Sequence, residues 1–177
     1  MGTPIKSQKV KLFFGFISND KNLFLKTEQI LARKFGLIDY SSEILPFNYT
    51  DYYNQELGEN LQRKFISTAR LIRPESLADI KIFTNKIETK FSAQNKRRIN
   101  IDPGYLSNGK LVLATTKDYS HRVYLKRGIL AKVELFYQNG SFQPWQWTYP
   151  DYKTKDYIEI FNNLYKVYLG ELRYKHG

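Results

Sequence analysis

The dipeptide Asn108-Gly109, flanked by Tyr105-Leu106 and by Leu111-Val112-Leu113-Ala114, is the strongest constraint on what this chain can fold into. Asn-Gly between apolar runs marks a two-residue hairpin, because both turn positions of a type I′ turn need positive φ. Such a turn sets Ser107 opposite Lys110 and Leu106 opposite Leu111. Counting back, Asp102 faces Thr115 and Asn100 faces Lys117. Directly opposed residues share a face of the sheet.

Residues 97–127 are thus expected to form three antiparallel strands joined by two tight turns, with Asn108-Gly109 as the first. A second turn of even length, such as Tyr119-Ser120, would set Lys117 opposite Arg122 and Thr115 opposite Tyr124. One face then gathers Asn100, Asp102, Thr115, Lys117, Arg122 and Tyr124. The other gathers Ile99, Ile101, Tyr105, Val112, Ala114, Val123 and Leu125 and reads as core. Leu106, Leu111 and Leu113 share the parity of the polar set, so only one end of that face is polar. An odd second turn would reverse Arg122 and Tyr124, and Pro103 removes a ladder donor.

Upstream, Lys9–Ile17 is β-rich and suits a buried strand, and Ser18-Asn19-Asp20 offers helix caps. Phe24, Thr27, Leu31 and Phe35 follow at helical spacing, with Gly36 as the stop. Residues 37–47 and 61–72 read as strands, and 48–60 as irregular or a short edge strand. Pro74 opens a second helix whose stripe is Leu77, Ile80, Thr84, Ile87 and Phe91. Through residue 102 the order is strand, helix, strand, strand, helix, strand, that of a ferredoxin-like split βαβ core. After the meander come a hairpin at 129–147 around Asn139-Gly140 and a last helix at about 154–173. The expectation is one α+β domain over 1–177, with a ferredoxin-like part (1–102) and a meander, hairpin and C-terminal helix (103–177).

The polar end of the meander is the candidate binding site. Arg presents a two-pronged donor to phosphate or carboxylate, and Lys a point charge, so Lys117 and Arg122 suit a phosphate-bearing ligand such as a nucleotide. Asn100, Asp102, Thr115 and Tyr124 would orient the rest. His121, opposite Asp118 across the second turn, could move a proton or serve as a structural histidine. The only other histidine is His176, beside the C-terminus. Asp102, Asp118 and Asp151 could hold magnesium, but their spacing does not demand it, and no metal is expected. Trp145, Trp147, Tyr149 and Tyr152 could stack on a base or cover one end of the core.

The net charge of +11 favours anionic partners, so RNA is the rival ligand, and an aromatic surface meeting another protein is a third reading. Having no cysteine, the chain can build neither disulfides nor thiolate zinc sites. Its opening residues lack the apolar core of a signal peptide and no run reaches membrane-spanning length, so a cytoplasmic protein without a membrane span is expected. There is no P-loop, and Thr116-Lys117-Asp118 lacks the spacer of the guanine-reading Asn/Thr-Lys-x-Asp pattern. No dinucleotide fingerprint, HExxH or GxSxG occurs, and neither a reaction nor a cofactor is indicated.

The segments Lys-Leu-Phe-Phe-Gly-Phe (11–16), Asn-Ile-Asp-Pro-Gly-Tyr-Leu (100–106), Lys-Leu-Val-Leu-Ala-Thr-Thr-Lys-Asp (110–118), His-Arg-Val-Tyr-Leu (121–125) and Trp-Thr-Tyr-Pro-Asp-Tyr (147–152) resemble the hallmark blocks of an uncharacterised bacterial family. Its members are often labelled "GTP-binding protein", and the resemblance covers nearly the whole chain. It implies GTP as a ligand by label alone and supplies no catalytic residue. After Gly128 this chain departs from the family pattern, with Leu130, Lys132 and Glu134 in place of Tyr, Glu and Thr.

Overall fold

A computed structural model describes residues 2–174, so His176 lies outside the described residues. The apolar run becomes β1 (Lys11–Ser18), buried along its whole length. Asp20 then caps α1 (Lys21–Phe35) by accepting from the Asn22 amide at 2.9 Å, and Gly36, at φ +100°, ends it. Next come β2 (Ile38–Ser41), the two-residue β3 (Leu45–Pro46), the single turn α2 (Asn54–Leu57) and β4 (Gln62–Thr68). Helix α3 (Leu77–Phe91) buries Leu77, Ile80, Thr84 and Ile87, as its stripe predicts. The C-terminal part adds β5 (Asn100–Ser107), β6 (Lys110–Thr115), β7 (Arg122–Lys126), β8 (Ile129–Gln138), β9 (Ser141–Pro144) and α4 (Lys155–Tyr174).

The nine strands of the described residues join one antiparallel sheet, ordered β2-β4-β1-β5-β6-β8-β7, with β3 on β4 and β9 on β8. Its first four positions, β2-β4-β1-β5, have the connectivity of the ferredoxin-like split βαβ core. Side chains of α1 and α3 share one core with Leu12, Phe14, Phe16 and Ile101, so both helices cover the same face. On the opposite face α4 packs Tyr157, Phe161, Leu164 and Tyr168 against Phe13, Phe65, Leu111 and Leu135. Burying a ring such as Phe161 contributes roughly 1.5–3 kcal/mol. The buried Lys11 pairs with Asp39 of β2 and with Glu171 of α4 at 2.5 Å, pinning the far end of that helix. Among the described residues no helix is long and apolar enough to cross a membrane.

The central meander needs correction. The β5–β6 register is as predicted, with Ser107 opposite Lys110, although only Gly109 takes positive φ (+86°), so the turn is not type I′. Strand β7 does not return onto β6. Residues 116–121 form a connection, and the tight turn is Arg127-Gly128, both at positive φ, which folds β7 onto β8. Strand β8 therefore lies between β6 and β7, so Thr115 faces Leu130 rather than Tyr124, and Arg122 faces Lys132 rather than Lys117. Gly128, at φ +76°, is the glycine that this turn requires.

A second correction concerns Asp102 and Asn100, whose expected pairings with Thr115 and Lys117 do not form. The β5–β6 ladder stops at Gly104 opposite Leu113, one residue short of Pro103, which has no N–H to give. Beyond that point the strands diverge, and side chains of α3 take the backbone groups of Ile101. Its N–H donates to Glu88 Oε1 at 2.7 Å, and its carbonyl accepts from Lys81 Nζ at 2.9 Å.

Gly104 marks the last closed rung. A Cβ there would stand 2.5 Å from the Phe13 ring and 2.6 Å from the Val112 carbonyl. Gly104→Ala is expected to cost about 1–3 kcal/mol by overpacking. Urea denaturation of the two proteins measures it, and an unchanged midpoint would contradict this account of the rung.

Candidate functional site

The divergence of β5 from β6 opens a cleft of about 610 Å³ on the α4 face of the sheet. Lys81, Asn85 and Glu88 of α3 line it through the gap between the strands. Tyrosines 49, 52 and 53 line it from one side, and Tyr149 and Tyr152 from the other.

Its inner wall is an ionic network. Arg63 of β4 is only 3% exposed, and its guanidinium lies across β1 above Gly15. A Cβ at Gly15 would come within 3.0 Å of Arg63 Nη1, so that position has to be bare. Arg63 Nη2 donates to Asp151 Oδ2 at 2.8 Å, and Nη1 stands 3.7 Å from Asp102 Oδ2. The Phe47 and Phe65 rings lie 5.1 and 5.2 Å from the guanidinium. Burial works against the charge of Arg63, yet the neighbouring Tyr157, Tyr152, Asp151 and Asp102 raise its pKa above the ordinary value.

Arg97 is the second hub. Its Nε and Nη2 donate to the two oxygens of Glu56 at 2.7 and 2.6 Å, a two-pronged pair that ties α2 down. Its Nη1 donates to Glu88 Oε2 at 3.0 Å and to Asn100 Oδ1 at 2.9 Å. Asn100 passes the chain on, donating from Nδ2 to Asp102 Oδ2 at 2.6 Å. Lys81 Nζ approaches Asp102 Oδ1 at 3.4 Å. Burial pushes the Glu88 carboxyl above its ordinary pKa, against the pull of Lys81, the Ile101 amide and Arg97.

The mouth is different. Lys117, past the end of β6, sets Nζ 3.7 Å above the centre of the Tyr52 ring. Arg122 donates from Nη1 to the Lys117 carbonyl at 2.7 Å and from Nη2 to Tyr149 Oη at 3.0 Å, with Thr115 Oγ1 3.4 Å from Nη1. Among the described residues neither cation has a carboxylate within ion-pair distance. Below them a bulge in β8, where pairing jumps from Leu135 to Val133, sits at Glu134. Lys132 Nζ lies 2.7 Å from Glu134 Oε2 and 3.4 Å from the centre of the Tyr149 ring. Burial lowers the pKa of Lys132 and raises that of Glu134.

Of the sequence-predicted residues, Asn100, Asp102, Thr115 and Lys117 line the cleft, and Arg122 reaches its rim through Thr115 and Tyr149. Asp118, His121 and Tyr124 are not part of the lining. Asp118 is exposed. His121 stacks between Tyr119 and Trp147, at ring distances of 6.1 and 5.5 Å, and Trp147 stacks on Trp145. Burial, then the charges of Lys132 and Arg122, depress the pKa of His121. Tyr124 projects from β7, its hydroxyl accepting from the Gly128 amide at 3.3 Å. Among the described residues no three His, Asp or Glu side chains gather as metal ligands.

Arg63, Lys81, Glu88, Arg97 and Lys132 have no place among the sequence-predicted site residues, and Asp151, considered there only as a possible magnesium ligand, pairs with Arg63 instead. Two of them had a readable signal: Lys81 and Glu88 are seven apart, so they share one side of a helix whose stripe includes Ile80, Thr84 and Ile87.

Residues 8–168 match a family described as a domain of unknown function, DUF4416. The chain belongs to the DUF4416 family. Every cleft residue lies inside the matched span, from Phe47 to Tyr152. No curated protein and no solved structure matches this DUF4416 chain.

The buried Glu88 carries a testable consequence. Its raised pKa means that, in the window above its ordinary value of 4.5, the folded chain holds more protons than the unfolded one. Stability from this group is full below that window and is lost as pH rises through it. Relative to Glu88→Gln, the wild-type unfolding free energy is expected to fall with rising pH across the window, as read from urea melts at several pH values. A difference between the two proteins that does not change with pH would refute the assignment.

Proposed function

We propose that this chain binds a phosphate-bearing small molecule, a nucleotide, in the cleft, with its phosphates at Lys117 and Arg122. The observation that carries the reading is the pair of cations at the mouth, joined through the Lys117 carbonyl and without a carboxylate between them. Two cations without a carboxylate partner at one mouth attract an anion. Arg122 already spends donors on a carbonyl and a hydroxyl, which fixes its plane and orients the rest of the fork.

Volume and lining support the same reading. A cleft of about 610 Å³ falls within the roughly 300–1,000 Å³ of small-molecule sites. The tyrosines on its two sides offer ring faces to a planar base, and Tyr52 and Tyr149 stand beside the phosphate-holding cations. The "GTP-binding" label of similar proteins agrees in ligand class, though phosphate would be held by side chains here rather than by a P-loop. The proposal is one of binding. His121 and Asp118, weighed above for proton transfer, stand outside the lining.

RNA binding on a ferredoxin-like sheet uses an open sheet face carrying aromatic residues. Here α4 occupies that face, packing Phe161 edge-on against Phe13 and Phe65 at ring distances of 5.2 and 5.0 Å. With that face covered, a discrete pocket is favoured over a strand-binding platform on this sheet.

A thermal-shift series with nucleoside triphosphates, with and without magnesium, tests the proposal. A ligand at a hundredfold excess over its Kd stabilises by ~2.7 kcal/mol, a clear rise in Tm. The rise is expected for the wild type and should disappear in both Lys117→Ala and Arg122→Ala. No rise for any nucleotide at millimolar concentration would overturn the proposal.

A further inference from the structure

The cleft is electrostatically lopsided. The inner network of Arg63, Lys81, Arg97, Asp102, Glu88, Asp151 and Glu56 contains three cations and four carboxylates. The mouth contributes Lys117 and Arg122, which among the described residues have no carboxylate within ion-pair distance, while Lys132 and Glu134 cancel. An anion entering this cleft is drawn to the mouth and meets no net attraction at the inner wall. The ligand must then turn some other chemistry inward.

The inner wall indicates what that chemistry is. Three carboxylates line the cleft, and their side-chain exposures differ: 22% for Asp102, 7% for Asp151 and 6% for Glu88. Asp151 is held by Arg63, and both oxygens of Glu88 are taken, by the Ile101 amide and by Arg97. Asn100 has spent its carbonyl on Arg97 and its amide on Asp102. Asp102 is held in place by one short hydrogen bond from Asn100, with Lys81 at 3.4 Å and Arg63 at 3.7 Å. An ionised carboxylate has about four acceptor positions, so Asp102 keeps acceptor capacity facing the open cleft.

Resting on the nucleotide reading above, we propose that the ligand binds with a fixed polarity, phosphates outward at Lys117 and Arg122 and a donor-bearing group inward on Asp102. Asp102 is then the specificity-determining residue. The group it selects presents adjacent hydrogen-bond donors, which a nucleotide carries as vicinal ribose hydroxyls or as an amino and imino edge of its base. A polyphosphate with nothing attached satisfies the mouth and leaves Asp102 unused. A site whose acceptor is enclosed by the bound ligand discriminates against ligands that leave it unpaired.

Calorimetric titration of the full chain tests this with inorganic tripolyphosphate, the four ribonucleoside triphosphates and their 2′,3′-dideoxy counterparts. The wild type is expected to bind at least one ribonucleotide ten times or more tighter than tripolyphosphate. Loss of that advantage in the dideoxy compounds assigns the donors to the ribose; retention, with a tenfold or larger spread among the four bases, assigns them to the base. Asp102→Asn is expected to weaken the preferred nucleotide at least tenfold while leaving tripolyphosphate as tight or tighter, and Lys117→Ala to weaken both. Unchanged tripolyphosphate binding also shows that Asp102→Asn is folded. Nucleotides that bind the wild type no better than tripolyphosphate would overturn the polarity while leaving phosphate binding at the mouth intact. Failure of every nucleotide to bind would remove the underlying reading as well.

Discussion

The backbone of Ile101 is the point on which this structure turns. A strand interior cannot leave an N–H and a C=O unpaired without a penalty of about 1–3 kcal/mol for each group. Pro103 stops the β5–β6 ladder two residues away, so Ile101 needs partners that are not a strand. Helix α3 supplies them as a carboxylate and an ammonium, Glu88 and Lys81. That substitution satisfies the strand and holds β5 and β6 apart, and it commits two buried charges to the same place. Those charges in turn require Arg97 and Asp102 as counter-ions, and Arg97 brings in Glu56 and, with it, α2. The cleft and much of its inner wall follow from one missing ladder bond.

The same reasoning separates what was legible in the sequence from what was not. The ferredoxin-like core could be read because each element carries its own period: Phe24, Thr27, Leu31 and Phe35 on α1, Leu77 to Ile87 on α3, and the apolar run of β1. The hairpin register at Asn108-Gly109 was readable for the same reason, since a two-residue turn leaves no freedom in the pairing. The placement of β7 was not. Parity counting assumes that consecutive strands pair, whereas Arg127-Gly128 hands β7 to β8 and lets β8 take the place beside β6. Arg122 nevertheless arrives on the same face as Thr115, because one inserted strand preserves the alternation of sides from rung to rung.

The inner wall escaped for a different reason. Its members come from β4, α2, α3, the segment before β5, β5 and the segment before α4, and no local period links Arg63 to Asp151 or Glu56 to Arg97. Each reads alone as an ordinary surface charge. What sets them apart is position within an otherwise apolar face: Arg63 alternates with Phe65, and Lys81 and Glu88 interrupt the stripe of α3. Gly15 belongs with them, since its missing side chain is the space that the Arg63 guanidinium occupies.

A buried network of this kind adds little net stability, because desolvating the charges offsets much of their mutual attraction. With apolar side chains in place of Glu88 and Lys81, the Ile101 N–H and C=O would lose their partners. The effect of the network is on shape and polarity: it keeps a gap open in the middle of a sheet, rigid on its inner side and with no excess of positive charge there. Lys117 and Arg122, with no carboxylate within ion-pair distance among the described residues, are then where an incoming anion is drawn. Rigidity inside and uncompensated charge at the rim are the arrangement that lets a single pocket take one end of a ligand by attraction and judge the other by fit.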